Sequence, residues 1–103
     1  MGESRTLVVN YLRDEYDVYV GRPTRWGNPY RITCPQKRIR CIRAYAKYLC
    51  KNLVLLKAVP SLRGMRLACY CSPLACHADV LAALADGRVD ETSLNDWARQ
   101  LVE

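Results

Sequence analysis

Residues 69–77 read Cys-Tyr-Cys-Ser-Pro-Leu-Ala-Cys-His, a C-x-C-x4-C-H cluster that contains the only histidine of the chain. Three chemistries suit these residue types. Zinc prefers four Cys or His ligands at about 2.0–2.3 Å in a tetrahedron, so Cys69, Cys71, Cys76 and His77 form a candidate ligand set. Against it, adjacent Cys and His rarely reach one metal together, and the usual C-x2-C spacing is absent. In the second reading Cys76 is a nucleophile and His77 its partner. A helix N-terminus and a neighbouring imidazole both favour a thiolate. In the third, the thiols are inert packing residues or form one disulfide, such as Cys71 with Cys76, and His77 is satisfied locally. The spacing leaves all three open.

The second chemical segment is Gly21-Arg22-Pro23-Thr24-Arg25-Trp26-Gly27-Asn28-Pro29-Tyr30. Arg22 and Arg25 can each hold a phosphate bidentately. Trp26 offers a flat face on which a base or sugar could stack, and Asn28 both donates and accepts, as reading a base edge requires. The alternative is an Ω-like loop in which Trp26 plugs the core and Asn28 bonds its own backbone.

These segments need elements to position them. Thr6–Tyr11 and Tyr16–Val20 have the β-branched and aromatic content of short strands, with charged residues between them. A helix is predicted from about Pro35 to Asn52, with Thr33 and Gln36 at capping-box spacing. Cys41, Ile42, Tyr45, Tyr48 and Leu49 form its apolar stripe, and Lys37, Arg40, Arg43, Lys47 and Lys51 form a basic ridge opposite. Leu53–Leu62 reads as helix interrupted by Pro60. Arg66–Cys71 reads as a buried strand, parallel to a neighbour, on which Cys69 and Cys71 face the same side. Ser72-Pro73 suits the start of a helix and Gly87 its end. Val80, Leu84 and His77 share the inner face of that helix. A last helix over about 93–102 starts at Ser93, boxed by Asp96, and packs through Leu94, Trp97, Ala98 and Leu101. The order β-β-α-α-β-α-α predicts one α/β domain over residues 1–103, with helices packed on a small, partly parallel sheet.

Charge narrows the function classes. The formal net charge is +6, and between Asp17 and Asp79 lie twelve Lys or Arg and no Asp or Glu. From Cys69 onward two basic residues face six acidic ones. A basic block beside an acidic tail points to a phosphate-bearing ligand or nucleic acid on one face; a merely solvated basic face is the alternative. No apolar run approaches the ~20 residues of a membrane span, and the start of the chain lacks a signal-like apolar stretch. A cytoplasmic protein with thiols or metal-bound cysteines is therefore expected. With few carboxylates near the two segments, any catalysis there would rely on cysteine, histidine or a metal.

GRPTRWGNPY followed by LACYCSPLACHADVLAALA resembles the bacterial and phage proteins grouped as domain of unknown function family 4326. The matching positions are Gly21, Arg22, Pro23, Trp26, Gly27, Asn28 and Pro29, then Arg63, Gly64, Cys69, Cys71, Cys76, His77, Asp79 and Leu81, within a core of about residues 16–86. The family pattern has Pro directly before the third cysteine; here Ala75 precedes Cys76. The resemblance names no substrate. It implies that the loop and the cysteine cluster meet in space, and that the cytoplasm in question is a host cell's if the source is viral. The leading reading is a nucleotide- or nucleic-acid-binding protein, or an enzyme acting on a nucleotide, with zinc as the candidate cofactor. The competing one is a non-catalytic phage interaction protein held by disulfides or zinc.

Overall fold

A computed structural model describes residues 5–30, 35–71, 74, 76–90 and 92–100. The chain is α/β, as the element order implies. Strands β1 (Leu7–Asn10) and β2 (Val18–Tyr19) are followed by a 3-10 turn, Pro35–Lys37, that leads into α1 (Arg38–Lys51). Helix α2 (Leu53–Ala58) and a second 3-10 turn (Val59–Leu62) lead to β3 (Arg66–Cys69), then α3 (His77–Ala85) and α4 (Leu94–Arg99).

The sheet order is β1-β3-β2. Both ladders are parallel, Leu7 opposite Arg66 and Val18 opposite Leu67. The expected small, partly parallel sheet is present, and among the described residues its pairing is parallel throughout. β1 and β2 are neighbours in sequence but not in the sheet, because β3 lies between them. Leu67, Ala68 and Cys69 are buried on both faces, which is the environment a central parallel strand requires. The consequence is geometric: all three strands point the same way, and their carboxyl ends share one edge.

Helix α3 packs on β1 and β3, and α1 buries Ile39, Cys41, Ile42, Tyr45, Ala46 and Leu49, packing against α3 and α4. Lys37, Arg40, Arg43, Lys47 and Lys51 are exposed. Arg43 also has a structural task. Its Nε and a terminal nitrogen donate to the carbonyls of Ala98 and Arg99 at 3.1 and 2.8 Å, so a cation satisfies the last turn of α4 where the helix dipole is negative. Asn52 ends α1 and caps α2, its Oδ1 accepting from Leu55 N–H at 3.2 Å.

Three expected caps are not as the residue types suggested. α3 starts at His77 with Cys76 as its N-cap, and the Asp79 carboxylate accepts the Cys76 N–H at 2.8 Å; Ser72 and Pro73 lie outside the described residues. At α4, Ser93 makes no side-chain cap; Asp90 shapes the turn instead, accepting from Thr92 and Ser93 N–H at 3.0 and 2.9 Å. Lys37, not Thr33, precedes α1, and Thr33, Cys34 and Leu101 lie outside the described residues. Gly87 does end α3, with φ +72°, a conformation that costs a side-chain-bearing residue more than glycine.

At the opposite edge from the carboxyl ends, buried Thr6 ties three segments together. Its N–H and hydroxyl donate to Asp86, the hydroxyl at 2.6 Å, while its oxygen accepts Gly64 N–H at 2.9 Å. Asp86→Ala leaves those donors without a partner and should lower the unfolding free energy by about 1–3 kcal/mol. The reading is a lower urea midpoint at unchanged slope; an unchanged midpoint would show the tie to be idle. On the surface, two hydrogen bonds from the Arg66 guanidinium hold the Asp17 carboxyl below its ordinary value. A depressed carboxyl stabilises the fold above its unfolded pKa and loses that contribution as pH falls through the folded one. An NMR titration should therefore place Asp17 below 3.8, and Arg66→Ala should return it to the ordinary range.

Candidate functional site

The shared carboxyl edge is where open α/β sheets collect ligands, and here it carries both chemical segments. Cys69 ends β3 and Cys71 follows two residues on, while Cys76 caps α3 from the other side. Their sulfurs all lie within 4.8 Å of one another, and Cys69 Sγ is 2.9 Å from Cys76 Sγ. Cys69 and Cys76 are buried and Cys71 is half-buried. No disulfide joins two of the described cysteines, so the Cys71–Cys76 bridge considered above is not formed. The donor set fits a metal ion: three sulfurs within one ion's reach, at a helix N-terminus that favours their anionic form.

His77 does not join that set. Its Nε2 makes a 2.7 Å hydrogen bond with the carbonyl of Val20, just past β2, and its ring meets Tyr45 edge-on at 5.0 Å. Burial lowers its pKa, so the ring is a neutral imidazole donating Nε2–H. The four-ligand set of the sequence reading is therefore reduced to three thiols, and His77 becomes the tie between α3 and the end of β2.

The expected thiolate at Cys76 is also corrected. The neighbouring thiols of Cys69 and Cys71, together with burial, push the Cys76 thiol up. The Cys71 thiol is pushed down by hydrogen bonds from Cys69 and Cys76, with help from Arg38. The half-buried thiol beside a cation is thus the one whose anionic form is favoured, and the fully buried one is disfavoured.

In the glycine-containing loop, a side chain at Gly21 would collide with the Tyr19 ring, and one at Gly27 would come within 3.1 Å of the Arg22 backbone. Trp26 is 5% exposed. Its carbonyl accepts the Tyr45 hydroxyl at 2.7 Å, and the Arg25 guanidinium lies 4.9 Å from its ring centre. The ring is a core plug and cannot serve as an open stacking face. Asn28 is buried too, its Oδ1 accepting Tyr30 N–H at 2.8 Å and its Nδ2 donating to Cys41 O at 3.4 Å. Of the four loop residues proposed for binding, Arg25 stacks on Trp26 and Asn28 fixes the turn. Arg22 is the one whose charge faces the cleft: Nε donates to Asn28 O at 2.8 Å, and its terminal nitrogens have no protein acceptor among the described residues.

Loop and cluster do meet. Gly21, Arg22, Asn28, Cys69, Cys71 and His77 line one cavity of about 390 Å³, completed by Tyr19, Tyr30 and Tyr70. The sequence reading gave these tyrosines no binding role. Tyr11, Tyr19 and Tyr70 pack against one another with ring centres 4.6–6.1 Å apart, and Tyr70 and Tyr30 are exposed.

The family described as "Domain of unknown function (DUF4326)" matches residues 8–87. A protein of Enterobacteria phage T4, called "Uncharacterized 12.4 kDa protein in nrdA-td intergenic region", is 35% identical over 83 residues, which cover 77% of this chain and 76% of its own length. No solved structure matches the chain. No helix among the described residues is long and apolar enough to cross a membrane.

Alkylation order tests the thiol assignment. In chelator-treated, reduced protein, brief iodoacetamide exposure followed by peptide mass mapping should label Cys71 well before Cys76. Labelling of Cys76 first would restore it as the nucleophile.

Proposed function

The chain belongs to the DUF4326 family, and from its geometry we propose that it binds a small phosphorylated ligand of mononucleotide size at the carboxyl edge of its sheet. One observation carries this: the Arg22 guanidinium sits on the wall of the tyrosine-bearing cavity with no acceptor for its terminal nitrogens among the described residues. A cavity of about 390 Å³ is in the range of small-ligand sites. The guanidinium offers the fork that phosphate oxygens match, and Tyr19, Tyr30 and Tyr70 offer faces for a planar ring. Among the described residues no carboxylate lines the cavity, so the negative charge an incoming anion meets there is confined to sulfur. In the same reading the metal suited to Cys69, Cys71 and Cys76 is zinc, whose affinity for thiolates and indifference to redox state fit a cytoplasmic site.

A second reading rests on the exposed ridge of Lys37, Arg40, Lys47 and Lys51 on α1, along which a nucleic-acid backbone would lie. The two are separable by titration. Calorimetry with adenosine monophosphate at two salt concentrations should give binding that weakens with salt. Arg22→Ala should weaken it roughly 10–100-fold, the loss of a charged hydrogen-bond pair of about 1.5–3 kcal/mol. Equal affinities for wild type and variant would remove the cavity reading. Binding of a short single-stranded oligonucleotide that survives Arg22→Ala but is lost on Arg40→Glu with Lys47→Glu would move the function to the ridge.

A further inference from the structure

We infer that Cys69, Cys71 and Cys76 hold one zinc ion through three thiolates, and that its fourth position opens into the tyrosine-lined cavity for a neutral donor atom. The ligand class rests on the proposed function above; the metal and its open position rest on the sulfur cluster alone.

The first support is the donor count. Among the described residues no fourth metal-ligating atom lies within 4.8 Å of all three sulfurs. The two neighbours that could have closed the site are engaged elsewhere. His77 holds the Val20 carbonyl through Nε2 at 2.7 Å, and Asp79 holds the Cys76 N–H at 2.8 Å. A three-ligand set is the pattern of zinc sites that keep a position for water or substrate, whereas structural sites complete four protein ligands.

The second support is direction. Cys69 and Cys71 form part of the cavity wall, beside Arg22 and Tyr70, while Cys76 backs them from the helix start with no exposure. A metal bound by all three therefore has protein on the Cys76 side and open space on the cavity side. Sulfurs at about 2.3 Å from a tetrahedral ion stand roughly 3.8 Å apart. The present limit of 4.8 Å already encloses that triangle. The Cys69–Cys76 edge, at 2.9 Å, must open by about 0.9 Å to fit it.

Charge selects the fourth donor. A divalent ion with three thiolates carries a net charge of about −1, offset by the amino end of α3 and by Arg38 beside Cys71. A second anion directly on the metal would add to the excess, so water or an uncharged nitrogen is favoured there. A phosphorylated ligand would then place its phosphate at Arg22 and a neutral ring nitrogen at the metal.

Cobalt(II) reports this directly, because its visible spectrum follows coordination number and donor type. The full-length, chelator-treated protein is titrated with cobalt(II), then with imidazole, then separately with adenosine monophosphate. The expected result is one cobalt per chain with a tetrahedral thiolate spectrum, which imidazole shifts saturably. Cys71→Ser, the substitution at the least buried ligand, should weaken cobalt binding by more than the ~10–100-fold typical of losing an outer-shell partner. Circular dichroism of that variant establishes that it is folded. Cys34→Ser should leave both affinity and spectrum unchanged. A spectrum indifferent to imidazole, or a loss of affinity in Cys34→Ser, would mean a closed four-ligand site and overturn the inference. So would failure to take up cobalt, or an intact mass two units light under non-reducing conditions from a Cys69–Cys76 bond. Nucleotide binding that persists beside an imidazole-insensitive spectrum would sink the open metal and spare the proposed function. An imidazole-sensitive spectrum without nucleotide binding would do the reverse.

Discussion

Strand β3 is hydrogen-bonded on both edges by strands that run in its own direction, and it is buried on both faces. Every feature of the candidate site depends on that pairing. A parallel neighbour cannot be reached by a tight turn, so the chain between β2 and β3 must cross over, and α1 and α2 are that crossover. Because β1 and β2 flank β3 in the same sense, the turn after Asn10, the loop after Val20 and the segment after Cys69 all emerge at one edge. Antiparallel pairing of either outer strand would send its exit to the far side. The Arg22 loop or the Tyr11 ring would then be more than a strand length from the sulfurs.

Within that edge, a few buried polar ties fix the positions that strand direction leaves free. His77 joins the first turn of α3 to the end of β2 through Val20 O, and Tyr45 joins α1 to the loop through Trp26 O. Asn28 turns the loop back on itself and reaches Cys41 O, while its own carbonyl takes Arg22 Nε. Each such bond is worth only about 0.5–1.5 kcal/mol net, but leaving either partner unsatisfied in the interior costs more than making the bond gains. The loop is thus held to one conformation less by the strength of its contacts than by the cost of every alternative. Arg22 inherits that rigidity at Nε and keeps its outer nitrogens for the cleft.

Much of this was legible in the residues. The apolar stripe of α1, the breaks at Asn52 and Gly87, and a buried strand beginning at Arg66 follow from periodicity and backbone preference; the structure has them, with the strand expected over Arg66–Cys71 ending at Cys69. The pairing of β1 and β2 with β3 on both sides was not legible. Strands of four and two residues carry too little pattern to specify a partner, and only the two-faced burial of β3 selects the centre. Trp26 and Asn28 looked like binding groups because their side chains can bind. Whether such a side chain faces ligand or core is decided by distant residues, here Tyr45 and Cys41. The start of α3 was misplaced because Ser before Pro is the stronger local cap signal. Asp79 three residues after Cys76 forms the box instead, and cysteine is an uncommon residue in that role.

The long stretch without acidic residues takes on a physical meaning once the cavity is drawn. Its lining among the described residues comes from between Tyr19 and His77, and the sequence between Asp17 and Asp79 contains no carboxylate. The interval that has no Asp or Glu is thus the interval that builds the cleft, and Asp79, which bounds it, turns its carboxylate to a backbone N–H. Negative charge at the described lining of the cleft is therefore confined to sulfur, and the Cys71 thiol, beside Arg38, is the one pushed down. Thiolate charge differs from carboxylate charge in one respect that matters here. It is large, polarisable and weakly hydrated, and a soft metal ion neutralises it better than a proton or a lysine would. In the function proposed above, a cleft without carboxylates among its described lining, with three thiols at or behind its wall and one guanidinium beside them, would keep hard anions on the arginine and soft charge on the sulfurs. That division lets one small space hold both without either cancelling the other.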